Sequence, residues 1–337
     1  MSKTSLLKYF LTLCSLAVTV SAMAAENPFL GEWDLTIPGG GAGWLGVMEK
    51  PGGGLQASLL WGSGSVFPLA SAKLEGDNLV LERNHELQRA DAAGKKSRVK
   101  IVETITATLK GDRIELTGVR QDENDPNKKR EEHYSGKRQP PIPPVPDLTK
   151  VKFGPAINLF NGKDLTGWRL VDPQAVSGWS AKNGLLVNNA VQEEGKHKNY
   201  GNLRTDREFE DFNLKVEVNV GKDQNSGIYL RGIYEVQVAD TYGRPIDPHN
   251  MGAVYSRIKP TMAAEKPPGE WQTLDITLVD RHISVELNGK RIIDNQPVMG
   301  CTGGALWSDI NKPGPIYLQG DHTSVTYRSL VLRPVVK

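Results

Sequence analysis

Two short segments of the chain concentrate side chains that can move protons. In Glu235-Val236-Gln237-Val238-Ala239-Asp240, strand alternation sets Glu235 and Gln237 on one face and Tyr234, Val236 and Val238 on the other. Asp240 rejoins the polar face only through a bulge. In Gln319-Gly320-Asp321-His322, the His322 imidazole is suited to act as base or acid near neutral pH. Asp321 cannot share a strand face with its neighbour and reads as a turn residue or a cation ligand. Arg231 adds a cation able to steady a developing negative charge, and Tyr255 adds a phenolic proton donor. Gln237, Gln319 and Trp179 could bind a ligand whether or not it reacts. Each has a plainer account: Arg231 pairing with Glu235 across a sheet, His322 capping a turn, Tyr255 and Trp179 filling a core. His197, in Glu193-Glu194-Gly195-Lys196-His197, either reaches a cleft or sits in a solvated loop.

Other chemistries find little support. His85, His133, His249 and His282 lack paired zinc-ligand spacing. No phosphate loop and no Ser-His-Asp signature occurs. No cofactor is expected, although a structural cation such as calcium is compatible with the acidic residues. Cys301, the lone cysteine past the N-terminal segment, reads as a small buried hydrophobe without a catalytic role. The 41 basic and 39 acidic residues nearly cancel, so nothing electrostatic favours nucleic acid or an anionic membrane as partner.

The elements that must position these residues are strands. Phe212, Leu214, Val216, Val218 and Val220 alternate with polar residues, Leu274, Ile276 and Leu278 do the same, and Ile283 to Leu287 runs into the hairpin signal Asn288-Gly289. The second half, 151–337, is therefore expected to be two packed antiparallel sheets. Residues 27–138 predict a small antiparallel barrel or sandwich, with strands over 31–37, 54–61, 72–74, 78–82, 99–109 and 113–120. Its Gly31-Glu32-Trp33 opening is lipocalin-like, and Trp33 is expected to plug a core. The charge run Lys128 to Glu132 reads as solvated surface. Between the halves, 139–150 contains five prolines in seven residues from Pro140 to Pro146, which predicts an extended spacer between two independently folding units. A length of 337 residues agrees with two domains.

Residues 1–24 predict a signal peptide. Lys3 and Lys8 precede a short apolar stretch from Leu11 to Val20, and Ala22-Met23-Ala24 offers a cleavage pattern. The mature chain is expected to carry no membrane span and to be exported, to the periplasm or beyond.

The segment Leu159-Phe160-Asn161-Gly162-Lys163-Asp164-Leu165-Thr166-Gly167-Trp168 is similar to the opening of the 3-keto-disaccharide hydrolase domain family. The resemblance continues in order through Asn225 to Gly232, Tyr234 to Asp240, Gly252 to Tyr255, Lys266 to Trp271 and Leu318 to His322. It covers the second domain alone. It implies a concanavalin/glucanase-type jelly roll binding a small carbohydrate on its concave sheet. The Glu235 segment also looks like the Glu-x-Asp-x-x-Glu strand of laminarinase-type hydrolases, but Gln237 cannot ionise. The two carboxyls about 5–5.5 Å apart that retaining hydrolysis needs are therefore not offered. A C3 keto group changes the demand, because it acidifies the C2 proton. His322 or Glu235 then serves as base, Arg231 stabilises the enolate, Tyr255 donates a proton, and Gln237, Asp240, Gln319, Trp179 and His197 contact sugar. A non-catalytic carbohydrate-binding module is the alternative on the same fold.

Overall fold

The computed structural model describes residues 27–90, 96–122, 125–192 and 198–336. The expected signal peptide, 1–24, and His197 lie outside the described residues. Every element among them is β: twenty-two strands and no helix long and apolar enough to cross a membrane.

The first nine strands are β1 (Gly31–Thr36), β2 (Ala42–Glu49), β3 (Leu55–Trp61), β4 (Phe67–Pro68), β5 (Ser71–Glu75), β6 (Asn78–Ala90), β7 (Lys96–Lys110), β8 (Arg113–Asp122) and β9 (Asp125–Arg138). They form one antiparallel meander in the order β4-β3-β2-β1-β9-β8-β7-β6-β5. The meander closes through the link after β4. There Leu69 N donates to Ala57 O at 2.9 Å and Ala70 N to Glu82 O at 2.8 Å. Closure removes the exposed edges an open sheet would leave. Alternation fills the interior with Leu35, Leu45, Leu59, Leu79, Leu81, Ile105 and Ile114. Trp33 is fully buried, as expected, with Nε1 donating to Phe29 O at 3.1 Å. The charge run is largely exposed, as expected, from Lys129 to Glu131. It lies within β9, paired with β8, and carries surface ion pairs such as Arg120–Glu132 at 2.7 Å and Arg130–Glu132 at 3.1 Å.

The remaining strands are β10 (Ile157–Asn158), β11 (Trp168–Leu170), β12 (Trp179–Lys182), β13 (Leu185–Asn188), β14 (Leu203–Thr205), β15 (Phe212–Asn219), β16 (Asn225–Leu230), β17 (Tyr234–Ala239), β18 (Trp271–Val279), β19 (His282–Leu287), β20 (Lys290–Pro297), β21 (Tyr317–Leu318) and β22 (Val325–Pro334). They build a jelly-roll sandwich of two antiparallel sheets. One runs β12-β13-β22-β15-β18-β19-β20 with β10 beside β22; the other runs β11-β14-β21-β16-β17. Phe212, Leu214, Val216 and Val218 from the first sheet meet Ile228, Leu230, Val236 and Val238 from the second in one core. Each such buried aliphatic contributes roughly 1.5–3 kcal/mol, so the core outweighs the cost of a few buried polar groups on the opposite face of the smaller sheet.

The proline segment is tied down. Arg281 Nη1 donates to the Pro140 and Pro141 carbonyls at 3.0 and 3.3 Å, and Asn295 Nδ2 to Pro146 O at 2.9 Å. Trp44, Ala42 and Leu60 of the barrel also join the core cluster of the sandwich.

Candidate active site

Strand alternation and register build the site. The β16–β17 hairpin sets Gly227 opposite Gln237 and Tyr229 opposite Glu235, while β21 sets Tyr317 beside Tyr229. Even-numbered neighbours on β16 and β17 enter the core, which turns Asn225, Tyr229 and Glu235 to the concave face. There they line a cavity of about 430 Å³ together with Tyr317, Gln319, Asp321, His322, Asn202 and Tyr255. Ser63 and Gly64 of the barrel and the backbone of Gly303 and Gly304 complete the wall.

Glu235 is 3% exposed, and burial pushes its carboxyl up to about 8 despite the nearby His322 charge. Gly227 makes room for it, since a Cβ there would collide with Glu235 Oε1. The Tyr229 hydroxyl lies 2.7 Å from Gly303 O and 2.9 Å from Glu235 Oε2. A hydroxyl has one hydrogen, and a carbonyl can only accept. With that hydrogen on Gly303, the contact to Glu235 is a hydrogen bond only if Glu235 carries a proton and donates. Burial and hydrogen-bond bookkeeping thus agree on a neutral carboxylic acid near pH 7.

The Tyr229 and Tyr317 rings stack with centroids 4.0 Å apart at 9°. Burial pushes both phenols well above their ordinary range, so they stay neutral. The Tyr317 hydroxyl accepts from Asn202 Nδ2 at 3.1 Å and donates to Gly304 O at 3.3 Å. His322 is about half exposed, and its Nδ1 sits 2.8 Å from Asp321 Oδ1. That bond raises the imidazole pKa despite partial burial, and it leaves Nε2 for the cavity. Asn225 Oδ1 and Gln319 Oε1 are buried oxygens without a hydrogen-bond partner among the described residues. An unmet buried acceptor costs about 1–3 kcal/mol.

Glu235, His322, Tyr255 and Gln319 come together in this cavity, and Asp321 joins them by orienting His322. Four other expectations need correction. Arg231 does not face the cavity: Leu230-Arg231-Gly232-Ile233 is the β16–β17 turn, with φ of 55° and 69° at its two central residues and Ile233 N bonded to Leu230 O at 3.1 Å. Its guanidinium instead binds the carbonyls of Ile310 and Lys312 at 2.6 and 2.7 Å. Gln237 is buried; its Oε1 accepts from Val238 N at 3.2 Å, and it lies away from the cavity lining. Asp240 is a turn residue whose carboxylate accepts from Asp223 N at 2.9 Å and Tyr242 N at 3.4 Å. Trp179 is core. It stacks on Tyr327 at 6.3 Å, and its Nε1 donates to Gly201 O at 2.8 Å beneath Gly320.

Sequence reasoning missed Tyr229, Tyr317, Asn202 and Asn225. The alternation that exposed Glu235 also puts Tyr229 on its face once the hairpin register is known. Among the described residues no three His, Cys, Asp or Glu side chains converge as a metal ion would need. Cys301 is buried, and burial pushes its thiol to about 12.

Residues 155–333 match the 3-keto-alpha-glucoside-1,2-lyase-like domain. The chain belongs to this family. It is a carbohydrate-active protein of glycosyl hydrolase-like type. No curated protein matches it. Among solved structures, a glycosyl hydrolase candidate from Parabacteroides distasonis is 29% identical, with 59% of this chain and 94% of that one covered and a TM-score of 0.43. A non-specific endo-beta-1,3(4)-glucanase shares 10% identity over 57% of this chain and 94% of its own, at a TM-score of 0.35. A carbohydrate-binding module from Bacillus subtilis shares 11% over 50% and 96%, at 0.33.

Proposed function

We propose that the cavity cleaves 3-keto-glycosides by elimination followed by hydration. The observation that carries this reading is the pairing of unlike proton carriers: a buried carboxyl held near pKa 8 at Glu235 and a carboxylate-oriented imidazole at His322. The family to which the chain belongs supports the substrate class.

His322 Nε2 removes the proton on C2, and the electron pair forms an enolate with the C3 oxygen. The Tyr255 hydroxyl is the cavity donor for that oxygen, a role first expected of Arg231. Reforming the C3 carbonyl drives the pair into a C1–C2 double bond and breaks the bond from C1 to its substituent. Glu235 gives its proton to the departing oxygen. Water then adds to C1 and a proton returns to C2, for net hydrolysis. A group near pKa 8 is an effective acid at neutral pH, and one positioned acid–base group is worth about 10²–10⁴ in rate. Asn202, Asn225 and Gln319 are the polar side chains of the lining beside the ring. The expected signal peptide puts this chemistry outside the cytoplasm.

The test is to incubate the protein with matched 3-keto and 3-hydroxy glycosides in deuterated water. Cleavage of the keto sugar alone, with deuterium at C2, is expected. Comparable cleavage of both without exchange returns the pair Glu235 and Asp321 to conventional glycosidase roles. Binding without turnover of either leaves a carbohydrate-binding module.

A further inference from the structure

The family domain begins at residue 155, yet one wall of the cavity belongs to the barrel. We propose that the barrel turn Gly62–Val66 is the wall that receives the leaving group on C1, with Ser63 as the specificity-determining residue. This rests on reading the cavity as a 3-keto-glycoside site.

The turn joins β3 to β4 and is bonded into the sandwich along its length. Gly62 O accepts from Gly304 N at 3.0 Å. Ser65 Oγ lies 2.9 Å from His249 Nε2 and 3.4 Å from the Tyr255 hydroxyl. Val66 N donates to Ser256 Oγ at 2.9 Å. Gly303 and Gly64 approach so closely that a Cβ on Gly303 would collide with the Gly64 backbone. Behind the turn, Trp44 fixes the barrel's orientation. The Arg257 guanidinium lies 4.1 Å from its ring centroid, a Cβ on Gly300 would collide with it, and its Nε1 donates to Glu32 at 2.6 Å. An arrangement held by this many bonds is rigid enough to discriminate by shape.

Within that frame, Ser63 and Gly64 are exposed to the cavity. The Ser63 hydroxyl has no partner among the described residues, and the Cβ direction of Gly64 meets no atom within 4 Å. Neither residue titrates, so the barrel wall cannot move a proton. The groups that can, Glu235 and His322, belong to the sandwich and must face C1, C2 and C3 of the keto sugar. The substrate part left for the barrel is the one that varies among 3-keto-glycosides, the group on C1. A small hydroxyl beside a glycine leaves room for a second sugar and offers it one hydrogen bond. The barrel thereby becomes the aglycone half of the site.

The experiment compares the full-length protein with Ser63→Phe and Ser63→Ala on two substrates, a 3-keto-disaccharide and the methyl 3-keto-glucoside. Filling the space with phenylalanine is expected to lower the disaccharide-to-methyl ratio of kcat/KM by about tenfold or more, the scale of pocket-shape discrimination. Ser63→Ala should lower it by a few-fold and serves if the larger variant does not fold. An unchanged ratio in both variants overturns the proposal, whether activity is kept or lost. Calorimetric binding of the two sugars separates this from the reaction itself. Should the wild type cleave neither sugar, the mechanism fails, and a Ser63-dependent shift in their affinity ratio still upholds the wall.

Discussion

The Tyr229 hydroxyl and the Glu235 carboxyl face each other across the β16–β17 hairpin at 2.9 Å, with Gly303 O 2.7 Å from the same hydroxyl. This triangle admits one arrangement in which every contact is a hydrogen bond: tyrosine donates to the carbonyl and a protonated Glu235 donates to tyrosine. Burial independently favours the same state. In the proposed reaction Glu235 is thus the loaded acid and His322 the base.

Activity should follow a narrow bell in pH. The rate rises as His322 loses its proton, above its ordinary 6.5 because Asp321 holds the charged form. It falls as Glu235 ionises near 8. Both limbs belong to the pair, since the two groups interact. The check is kcat/KM on a 3-keto-glycoside from pH 5 to 10. A plateau persisting above pH 9.5 would rule out Glu235 as the acid.

The two roles separate in deuterated water. Glu235→Gln should keep C2 exchange but slow cleavage by about 10²–10³, because the amide still hydrogen-bonds yet cannot protonate the leaving group. His322→Gln should lose exchange and cleavage together. The reverse pattern, exchange lost with Glu235→Gln and kept with His322→Gln, would swap the assignments.

Glu235 should also cost stability. Its proton is held to about pH 8 in the folded chain but only to its ordinary 4.5 when unfolded. Folding thus takes up a proton between those values, and this contribution is lost as pH rises through the window. Glu235→Gln escapes the loss, so its advantage over wild type should grow from near zero at pH 4.5 to roughly 3–5 kcal/mol above pH 8. Denaturant titrations at pH 5, 7 and 8.5 measure it; a difference independent of pH contradicts the buried acid.

Arg231 should matter for stability and not for chemistry. Arg231→Gln removes charge-assisted bonds to the buried Ile310 carbonyl and the part-buried Lys312 carbonyl, costing about 2–3 kcal/mol. The pH profile and kcat of the folded protein should stay those of wild type. A fall in kcat with unchanged melting would restore its catalytic role.

What could be read from the chain was whatever depends on neighbours in sequence. Alternation alone separated Glu235 from Val236, Asn288-Gly289 marked the β19–β20 hairpin, and the ordered motifs from Leu159 to His322 pointed to the family. Alternation also misled where strands end. Arg231 follows Leu230 in register, but two positive φ angles make it a turn residue and swing its side chain to other carbonyls. The charged stretch of β9 hid a strand because its run of like polar residues carries no apolar alternation, although it pairs with its neighbour β8 and with the distant β1.

Only the tertiary structure decided that Tyr229 meets Gly303, that Asp321 orients His322 at the rim of the same cavity, and that Ser63 arrives from the barrel. The physical reason is range. Strand period and turn propensity act over a few residues and are written locally. The protonation of Glu235 depends on how much water is excluded around it, and that exclusion is the joint product of both sheets and the barrel packed against them.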